Sequence, residues 1–389
     1  MINFSKKIDE LVDQIRERVS KEPMTPLERS KKVYTWDETL GHAFGGFAFW
    51  DPKCVGVTDV TAKEFYTNPE KMVYCLLVAA VKFKHDSLPI IADTYQIDVE
   101  ACGTKLHYPE DSMPVIVEHA IQKKSDLAKL RIPNPKQDGR MPYFIEVTKL
   151  FVEKIGDIFY PAASTEAPFS GAVGLRGYEN LVRDMREDPL FVHELLEYAL
   201  TVQIEFTRAI YDAIGYPAGS ADAWAAPPNI SPKQLEEFAL PYAARLLEAI
   251  KVYSGGKRGR WGLGWGYSLA PDQEHFLRMC NATGSGTCSL FEEEILGVAG
   301  YGKVNLARTK EICRQQKVVL STNLLPQLIY SGPPETITER VTKLHDICGP
   351  GGGHMYYTTV PLNTPFEHVE AYVRALKNCR YPVQANAAA

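Results

Sequence analysis

Eight short runs of apolar or β-branched residues, separated by helical patterns, most constrain how this chain can fold. Alternating strands and helices favour a parallel sheet covered by helices, and eight such units favour closure into an α/β fold of the (β/α)8 TIM barrel type. An open doubly wound sheet is the alternative, but no G-x-G-x-x-G follows a strand and no Walker loop is present. The predicted strands are 43–49, 89–93, 158–160, 219–222, 260–263, 287–291, 318–322 and 354–360.

The first 85 residues are predicted to be an N-terminal helical extension that contains the first barrel strand near 43–49. Apolar residues between Phe4 and Val19 recur at helical spacing, and Thr25 and Glu28 form a capping-box pattern around a proline. Residues 86–380 are assigned to the remainder of the barrel. The sequence leaves open whether the extension covers the barrel mouth or forms a partner surface.

Other helix boundaries follow from capping residues and glycines. Capping residues precede prolines at 68–69, 231–232 and 364–365. Gly349 follows a helical pattern that ends at 348 and is expected to cap it, and the glycine run 349–353 is interpreted as a helix-to-strand turn. The last residues, 384–389, read QANAAA and predict a disordered tail.

The composition is that of an ordinary enzyme, with 389 residues, 45% hydrophobic and a net charge of -5. It does not favour a nucleic-acid-binding protein, which would be strongly basic. No apolar run approaches the roughly 20 residues of a membrane-spanning helix, and the amino terminus has no apolar signal core. The eight cysteines are scattered without a CxxC pair, as expected for reduced thiols. We therefore expect a cytoplasmic protein without a membrane partner.

Aromatic and acidic residues gather where the predicted strands end. In a barrel these positions form the catalytic mouth, and an aromatic mouth suits a flat, mostly apolar ligand, although large aromatic residues also cap barrel cores. The predicted substrate-binding residues are Trp50, Tyr95, Phe169, Trp224, Trp261, Trp265, Tyr267, Asn323, His354, Tyr356 and Tyr357.

Three carboxylates are candidate catalytic residues. Asp93 and Asp222 each end an apolar strand, where a carboxylate is costly unless it serves a ligand or a paired partner. Glu292, in the run 292–294, is the third, with a helix start as the simpler explanation. For His354, the alternative to substrate binding is a purely structural role.

A metal site is not predicted with identified ligands. A zinc site at 275, 280 and 288 is disfavoured, because residues 275–279 look like a helix followed by a loop, which does not favour a geometry shared by the three positions.

The order of several segments resembles the uroporphyrinogen decarboxylase superfamily, from about residue 85 to 378. The matching segments are 87–93 with 99–103, 167–170 with Gly177, 222–224, 321–326, and 351–353 with 363–365. The resemblance implies the barrel fold. It also implies one of two activities: decarboxylation of a porphyrinogen, or methyl transfer as in the cobalamin-dependent branch related to methylcobalamin:coenzyme M methyltransferase.

Two departures narrow the choice of branch. The decarboxylases carry an Arg-Gln-Ala-Gly-Arg loop after the first strand, whose arginines pair with substrate carboxylates. Here residues 43–52 contain no arginine. The thiol-activating methyltransferases carry a His-x-Cys after strand five and a cysteine after strand eight. Here those segments are 261–264 and 359–360, without such ligands. If this chain binds zinc, it must therefore use ligands other than those of the thiol-activating methyltransferases.

The leading hypothesis is a cobalamin-dependent methyltransferase that demethylates a small donor, in the manner of an O-demethylase component of anaerobic metabolism. The resemblance implies cobalamin carried by a separate corrinoid protein, because the chain lacks an Asp-x-His-x-x-Gly signature. The aromatic mouth favours a methoxylated aromatic substrate, and a homodimer is an open question. The alternatives are a corrinoid-free decarboxylase or lyase of a small acid, and a ligand-binding relative without catalysis.

Overall fold

The structure is a computed structural model that describes residues 3–91, 93, 96–225, 229–257, 259–263, 284–291 and 305–381. The side chains of residues 261–263, 288, 290 and 291 are not described. The predicted tail at 384–389 and the positions 275 and 280 lie outside the described residues. Among the described helices, none is both long and apolar enough to cross a membrane.

Eight parallel strands form a closed α/β barrel. The described strands are β1 (Gly45–Phe49), β2 (Pro89–Ile90), β3 (Lys105–His107), β4 (Val115–Glu118), β5 (Ala162–Glu166), β6 (Gly219–Asp222), β7 (Trp261–Leu263), β8 (Thr287–Phe291), β9 (Val319–Asn323) and β10 (His354–Val360). The barrel strands lie in two four-stranded sheets, β1-β10-β9-β8 and β2-β5-β6-β7. A bridge between Gly46 and Ser87 joins the sheets on one side, and the Gly286 N–H donates to the Gly259 carbonyl at 3.3 Å on the other. The predicted (β/α)8 fold is confirmed.

The strand prediction at 158–160 is wrong, because the third barrel strand begins at Ala162. Ile158 and Phe159 are buried, but their N–H groups both donate to the Ile155 carbonyl at 3.0 Å. These apolar residues therefore form a turn that packs into the core. The strand itself, AASTE, is small and polar and carries little hydrophobic signal.

Helices surround the barrel, and several begin where the capping pattern predicts. Thr25 with Glu28, and Ser231 with Gln234, form complete capping boxes. The helix predicted to begin around Thr364 starts at Phe366, with Pro365 as its N-cap. The helices are α1 (Phe4–Val19), α2 (Pro26–Tyr34), α3 (Ala62–Phe65), α4 (Pro69–Phe83), α5 (Ile97–Ala101), α6 (Met141–Ile155), α7 (Pro168–Arg176), α8 (Tyr178–Glu187), α9 (Pro189–Ile214), α10 (Pro232–Gln234), α11 (Leu240–Tyr253), α12 (Leu306–Gln316), α13 (Pro326–Ser331), α14 (Pro334–Cys348) and α15 (Phe366–Asn378).

Helix α2 lies at the amino-terminal end of the barrel. The Leu27 N–H donates to the Ile158 carbonyl ahead of β5 at 2.7 Å, and Arg29 pairs with Asp86 ahead of β2 at 3.0 Å. Trp36, just after α2, packs against Gly353, which precedes β10. All these contacts involve residues that come before a strand. The contacts place α2 under the barrel and away from the mouth.

A small antiparallel hairpin, β3 with β4, is inserted between β2 and β5. It belongs to a long connection that also contains α5 and leads to α6. Because this connection starts at the carboxyl end of β2, it brings extra side chains to the mouth.

Gly46 has no room for a side chain where β1 approaches the segment before β2. A Cβ at this position would lie 2.2 Å from the Ser87 carbonyl oxygen, and that oxygen belongs to backbone at the barrel seam. We expect Gly46→Ala to lower the free energy of unfolding by about 1–3 kcal/mol, measured by urea denaturation. Gly219→Ala in β6 is the matched control, because its nearest contact would be an ordinary 3.5 Å. Equal stability of the two variants would contradict the expectation.

Candidate functional site

The carboxyl ends of the strands bring several predicted site residues to one end of the barrel. Trp50 follows β1, Asp93 follows β2, Asp222 ends β6, and Asn323 ends β9. Parallel strands place these positions together at the mouth. Tyr95, Trp265, Tyr267 and Glu292 lie outside the described residues, and the side chain of Trp261 in β7 is not described.

Asp93 forms a buried, bidentate ion pair with Arg140. Nη1 of Arg140 donates to Oδ1 at 2.9 Å and Nη2 donates to Oδ2 at 2.6 Å. The Asp93 side chain is 1% exposed, and its residue has a φ of +23°, which is unusual for a residue other than glycine. Burial raises the pKa of Asp93 to about 6, and the positive charge of Arg140 limits the rise.

Arg140 links Asp93 to a second acidic residue and to an aromatic ring. Its Nε donates to Glu100 at 2.7 Å, and its guanidinium lies 5.0 Å from the centroid of the Tyr108 ring. The Tyr108 hydroxyl in turn donates to Glu100. Arg140 immediately precedes α6 and lies 47 residues after Asp93. No local sequence pattern pairs residues this far apart, so Arg140 was not predicted as a site residue.

Asp222 is held by the first turn of α7. Its Oδ1 accepts from the Ser170 N–H at 2.9 Å and from the Ser170 hydroxyl at 2.7 Å. The Ser170 hydroxyl also accepts from the Trp224 N–H at 3.3 Å. Trp224 is 37% exposed, and its ring lies 5.1 Å from that of Tyr178 at an angle of 32°. Ser170 therefore hydrogen-bonds both the carboxylate of Asp222 and the backbone of Trp224, whose ring is partly exposed.

Glu166, the last residue of β5, forms a carboxyl pair with Asp98 of α5. Both residues are buried, with exposures of 0% and 3%, and within the described residues no donor reaches either carboxyl oxygen of Glu166. Gln203 donates an amide hydrogen bond to Asp98. Burial is the main cause that raises the pKa of Glu166 well above its usual value, with the charges of Asp98 and Asp222 adding to it. Two buried carboxyls that lie close together disfavour a second negative charge, so this environment favours the protonated form of Glu166.

Room for this pair comes from Gly171 on α7. A Cβ there would lie 3.4 Å from Oε1 of Glu166 and 3.7 Å from Oδ2 of Asp98. The pairing of Glu166 with Asp98 was not predicted from the sequence.

The remaining predicted residues differ in whether they lie at the mouth. Tyr357 and Asn323 are neighbours in the register of β10 and β9, and burial raises the pKa of Tyr357 to about 12. His354 instead opens β10 at the end opposite the mouth, where its Nε2 lies 2.9 Å from Oγ1 of Thr322. Tyr356 faces the helices and hydrogen-bonds His345 of α14 at 3.0 Å. Phe169 is fully buried in α7.

Two arginines of the described residues are already paired with carboxylates. Arg140 is matched by Asp93 and Glu100, and Arg176 at the end of α7 pairs with Asp184 at 2.8 Å. Within the described ranges, three or more His, Cys, Asp or Glu side chains are not grouped as metal ligands would be.

The family model described as uroporphyrinogen decarboxylase (URO-D) matches residues 56–379. The chain belongs to the uroporphyrinogen decarboxylase family. The family membership predicted from the order of the sequence segments is thereby confirmed.

Relatives within the uroporphyrinogen decarboxylase family carry two kinds of name. A uroporphyrinogen decarboxylase of Geobacter sulfurreducens is 24% identical over 292 residues, which cover 71% of this chain and 76% of that protein. The methylcobamide:CoM methyltransferase MtbA of Methanosarcina acetivorans is 21% identical over 366 residues, which cover 92% of this chain and 95% of that protein. A solved methyltransferase from Methanosarcina mazei matches with a TM-score of 0.76 at 18% identity, over 91% of this chain and 99% of the other.

Proposed function

We propose that this family member is a corrinoid-dependent methyltransferase that removes a methyl group from a small donor, with a methoxylated aromatic as the leading candidate. The observation that carries the proposal is that Arg140 and Arg176, among the described residues, are already paired with carboxylates of the protein itself. A porphyrinogen bearing eight carboxylates needs free cationic partners. The chain also has no arginine in residues 43–52, where the decarboxylases carry theirs.

The extent of the similarity supports the same branch. The alignment to the methyltransferase MtbA covers 92% of this chain, whereas the alignment to the Geobacter sulfurreducens decarboxylase covers 71%. The additional coverage includes part of the N-terminal region that precedes the family match at residue 56.

The aromatic pair of Trp224 and Tyr178 supports an aromatic donor. Trp224 presents a partly exposed face beside the carboxylate of Asp222. A methoxylated ring could stack on the indole while polar groups hold its oxygen, which is how stacking and a few polar contacts usually share recognition.

Transfer from an aryl ether requires help for the leaving oxygen. A reduced corrinoid is a nucleophile strong enough to attack a methyl carbon, but a phenolate leaves poorly unless it is protonated or polarised. Asp93 is our candidate acid, because its raised pKa of about 6 keeps a protonated fraction near neutral pH. Arg140 orients the carboxyl, and Asp222 with Ser170 positions the substrate.

The corrinoid is best treated as a second substrate that arrives on a carrier protein. Helix α2 lies at the other end of the barrel, where Leu27 and Arg29 anchor it. A carrier protein therefore would not have to displace α2 to reach the mouth.

The test is an anaerobic assay in which purified protein is mixed with cob(I)alamin and a panel of methoxylated aromatics, methylated amines and methylated thiols. Formation of methylcobalamin is followed by absorbance, with and without corrinoid carrier proteins. Conversion with methoxylated aromatics alone supports the full proposal. Conversion only with amines or thiols would overturn the choice of donor, and release of CO2 from a small acid without corrinoid would favour the decarboxylase alternative.

Trp224→Ala should raise the KM for the aromatic donor roughly tenfold while kcat changes little, because the lost stacking acts on binding and is worth about 1 kcal/mol or more. Trp224→Phe should recover most of the affinity. Val252→Ala is the control, since Val252 is 72% exposed at the end of α11. An unchanged KM in Trp224→Ala would remove Trp224 from the binding site.

A further inference from the structure

A small cavity lies at the amino-terminal end of the barrel, opposite the proposed active site. α2 closes it from below through Ser30 and Tyr34, and the segments that precede β2 and β7 contribute Ser87 and Arg260. We call it the base cavity. Its volume is about 10 Å³, which corresponds to one particle of about the size of a water molecule.

Arg260 brings an uncompensated positive charge to the base cavity. Among the residues that the structure describes, no carboxylate pairs with it, and its guanidinium lies 5.6 Å from the Tyr160 ring centroid. Burial acts to lower the pKa of Arg260, whereas Tyr34 and Tyr160 raise it, and the residue, which borders the cavity, is only partly buried. A guanidinium withdrawn from water without a counter-charge is costly.

Hydroxyl groups complete the lining. The Tyr34 oxygen lies beside Arg260 and helps to raise the pKa of that group, but it is buried and makes no well-formed hydrogen bond within the described ranges. Ser30 and Ser87 also line the cavity. A hydroxyl proton without an acceptor and a guanidinium without an anion can both be satisfied by the same ligand.

One acidic residue, Asp86, also borders the cavity. Its carboxylate is already occupied, since Arg29 donates to Oδ1 at 3.0 Å and His42 lies 2.9 Å from Oδ2. The positive charge of Arg260 is therefore left for another partner.

We propose that the base cavity binds one monatomic anion of the halide class, chloride in practice, held by the guanidinium of Arg260 and the hydroxyl of Tyr34. The small volume excludes phosphate and sulfate, which need several times that space. The anion joins α2 to the strand bottoms, so its binding stabilises the attachment of the N-terminal helices to the barrel.

The test is thermal unfolding of the full chain at constant ionic strength, with sodium gluconate replaced stepwise by sodium chloride or bromide. We expect the Tm to rise by a few degrees along a saturating curve with both halides, as mass action requires for a ligand of the folded state. Replacement by sulfate should not give the same saturating response. Crystals soaked in bromide should show an anomalous peak beside Arg260.

Arg260→Met should abolish the chloride response, and Tyr34→Phe, which removes only a hydroxyl, should weaken it several-fold. Arg183→Met is the matched control, because Arg183 is exposed on α8, and it should keep the wild-type response. A Tm that does not depend on the halide, or a response that survives in both cavity variants, would overturn the proposal. If Arg260→Met fails to fold, Tyr34→Phe and the bromide experiment still decide it.

Discussion

Asp93→Ala should lower the free energy of unfolding by about 3–5 kcal/mol, because it leaves the buried guanidinium of Arg140 without its two-pronged partner. The ion pair is inaccessible to solvent, with side chains 9% and 1% exposed, so water cannot replace the lost contacts. Glu100 still accepts from Arg140 but cannot reach the bonds that Asp93 accepted. Urea denaturation followed by circular dichroism measures the effect.

An exposed pair of similar geometry serves as the control. Arg245 and Glu197 also form a two-pronged pair between α11 and α9, but their side chains are 54% and 51% exposed. We expect Glu197→Ala to cost no more than about 1 kcal/mol, as exposed ion pairs usually do. Similar losses in the two variants would show that burial does not control the energy of the Asp93 pair.

A double variant separates stability from chemistry at Asp93. Asp93→Leu combined with Arg140→Met removes both charges together, so most of the lost stability should return, as it does for other buried ion pairs replaced by apolar groups. Methyl transfer should remain absent if Asp93 supplies the acid. A stable double variant that retains wild-type turnover would exclude Asp93 from the proposed mechanism.

Glu166→Gln should make the protein more stable than the wild type at neutral pH, and the gain should disappear in acid. The pKa of Glu166 is raised in the folded protein, chiefly by burial, so the unfolded chain releases this proton first as the pH rises. Protonated Glu166 contributes its full stabilisation to the wild type below the pKa of the unfolded state, which is about 4.5. This contribution is lost as the pH rises toward the pKa of the folded state. Glutamine keeps a permanent donor for Asp98 and has no proton to lose.

The measurement is the unfolding free energy of both proteins between pH 4 and pH 8. Their difference should grow by about 1.4 kcal/mol per pH unit within the window where only the unfolded state has released the proton. Glu153→Gln is the control, because Glu153 is exposed on α6, and its curve should run parallel to that of the wild type. A parallel curve for Glu166→Gln would mean that Glu166 is not protonated in the fold.

The candidate site was only partly predictable from sequence. Asp93 and Asp222 were found because a charged residue that ends an apolar strand stands out locally. Arg140, Ser170 and Gln203 were not found, since each meets its carboxylate only after distant segments pack together; Gln203 and Asp98 are 105 residues apart. Tyr356 was grouped with the mouth because successive residues of one strand face opposite sides, which a short apolar run does not reveal. His354 differs for another reason, since it opens β10 at the end opposite the mouth.

The sequence by itself determined the order of strands and helices and therefore the barrel, because capping residues, prolines and hydrophobic periodicity act over a few neighbouring positions. Only the tertiary structure decided that Asp93 is paired with Arg140, that Glu166 is buried next to Asp98, and that α2 lies beneath the barrel. These features depend on burial and on the distance between charges from remote segments. Both quantities exist only once the chain has closed into the barrel.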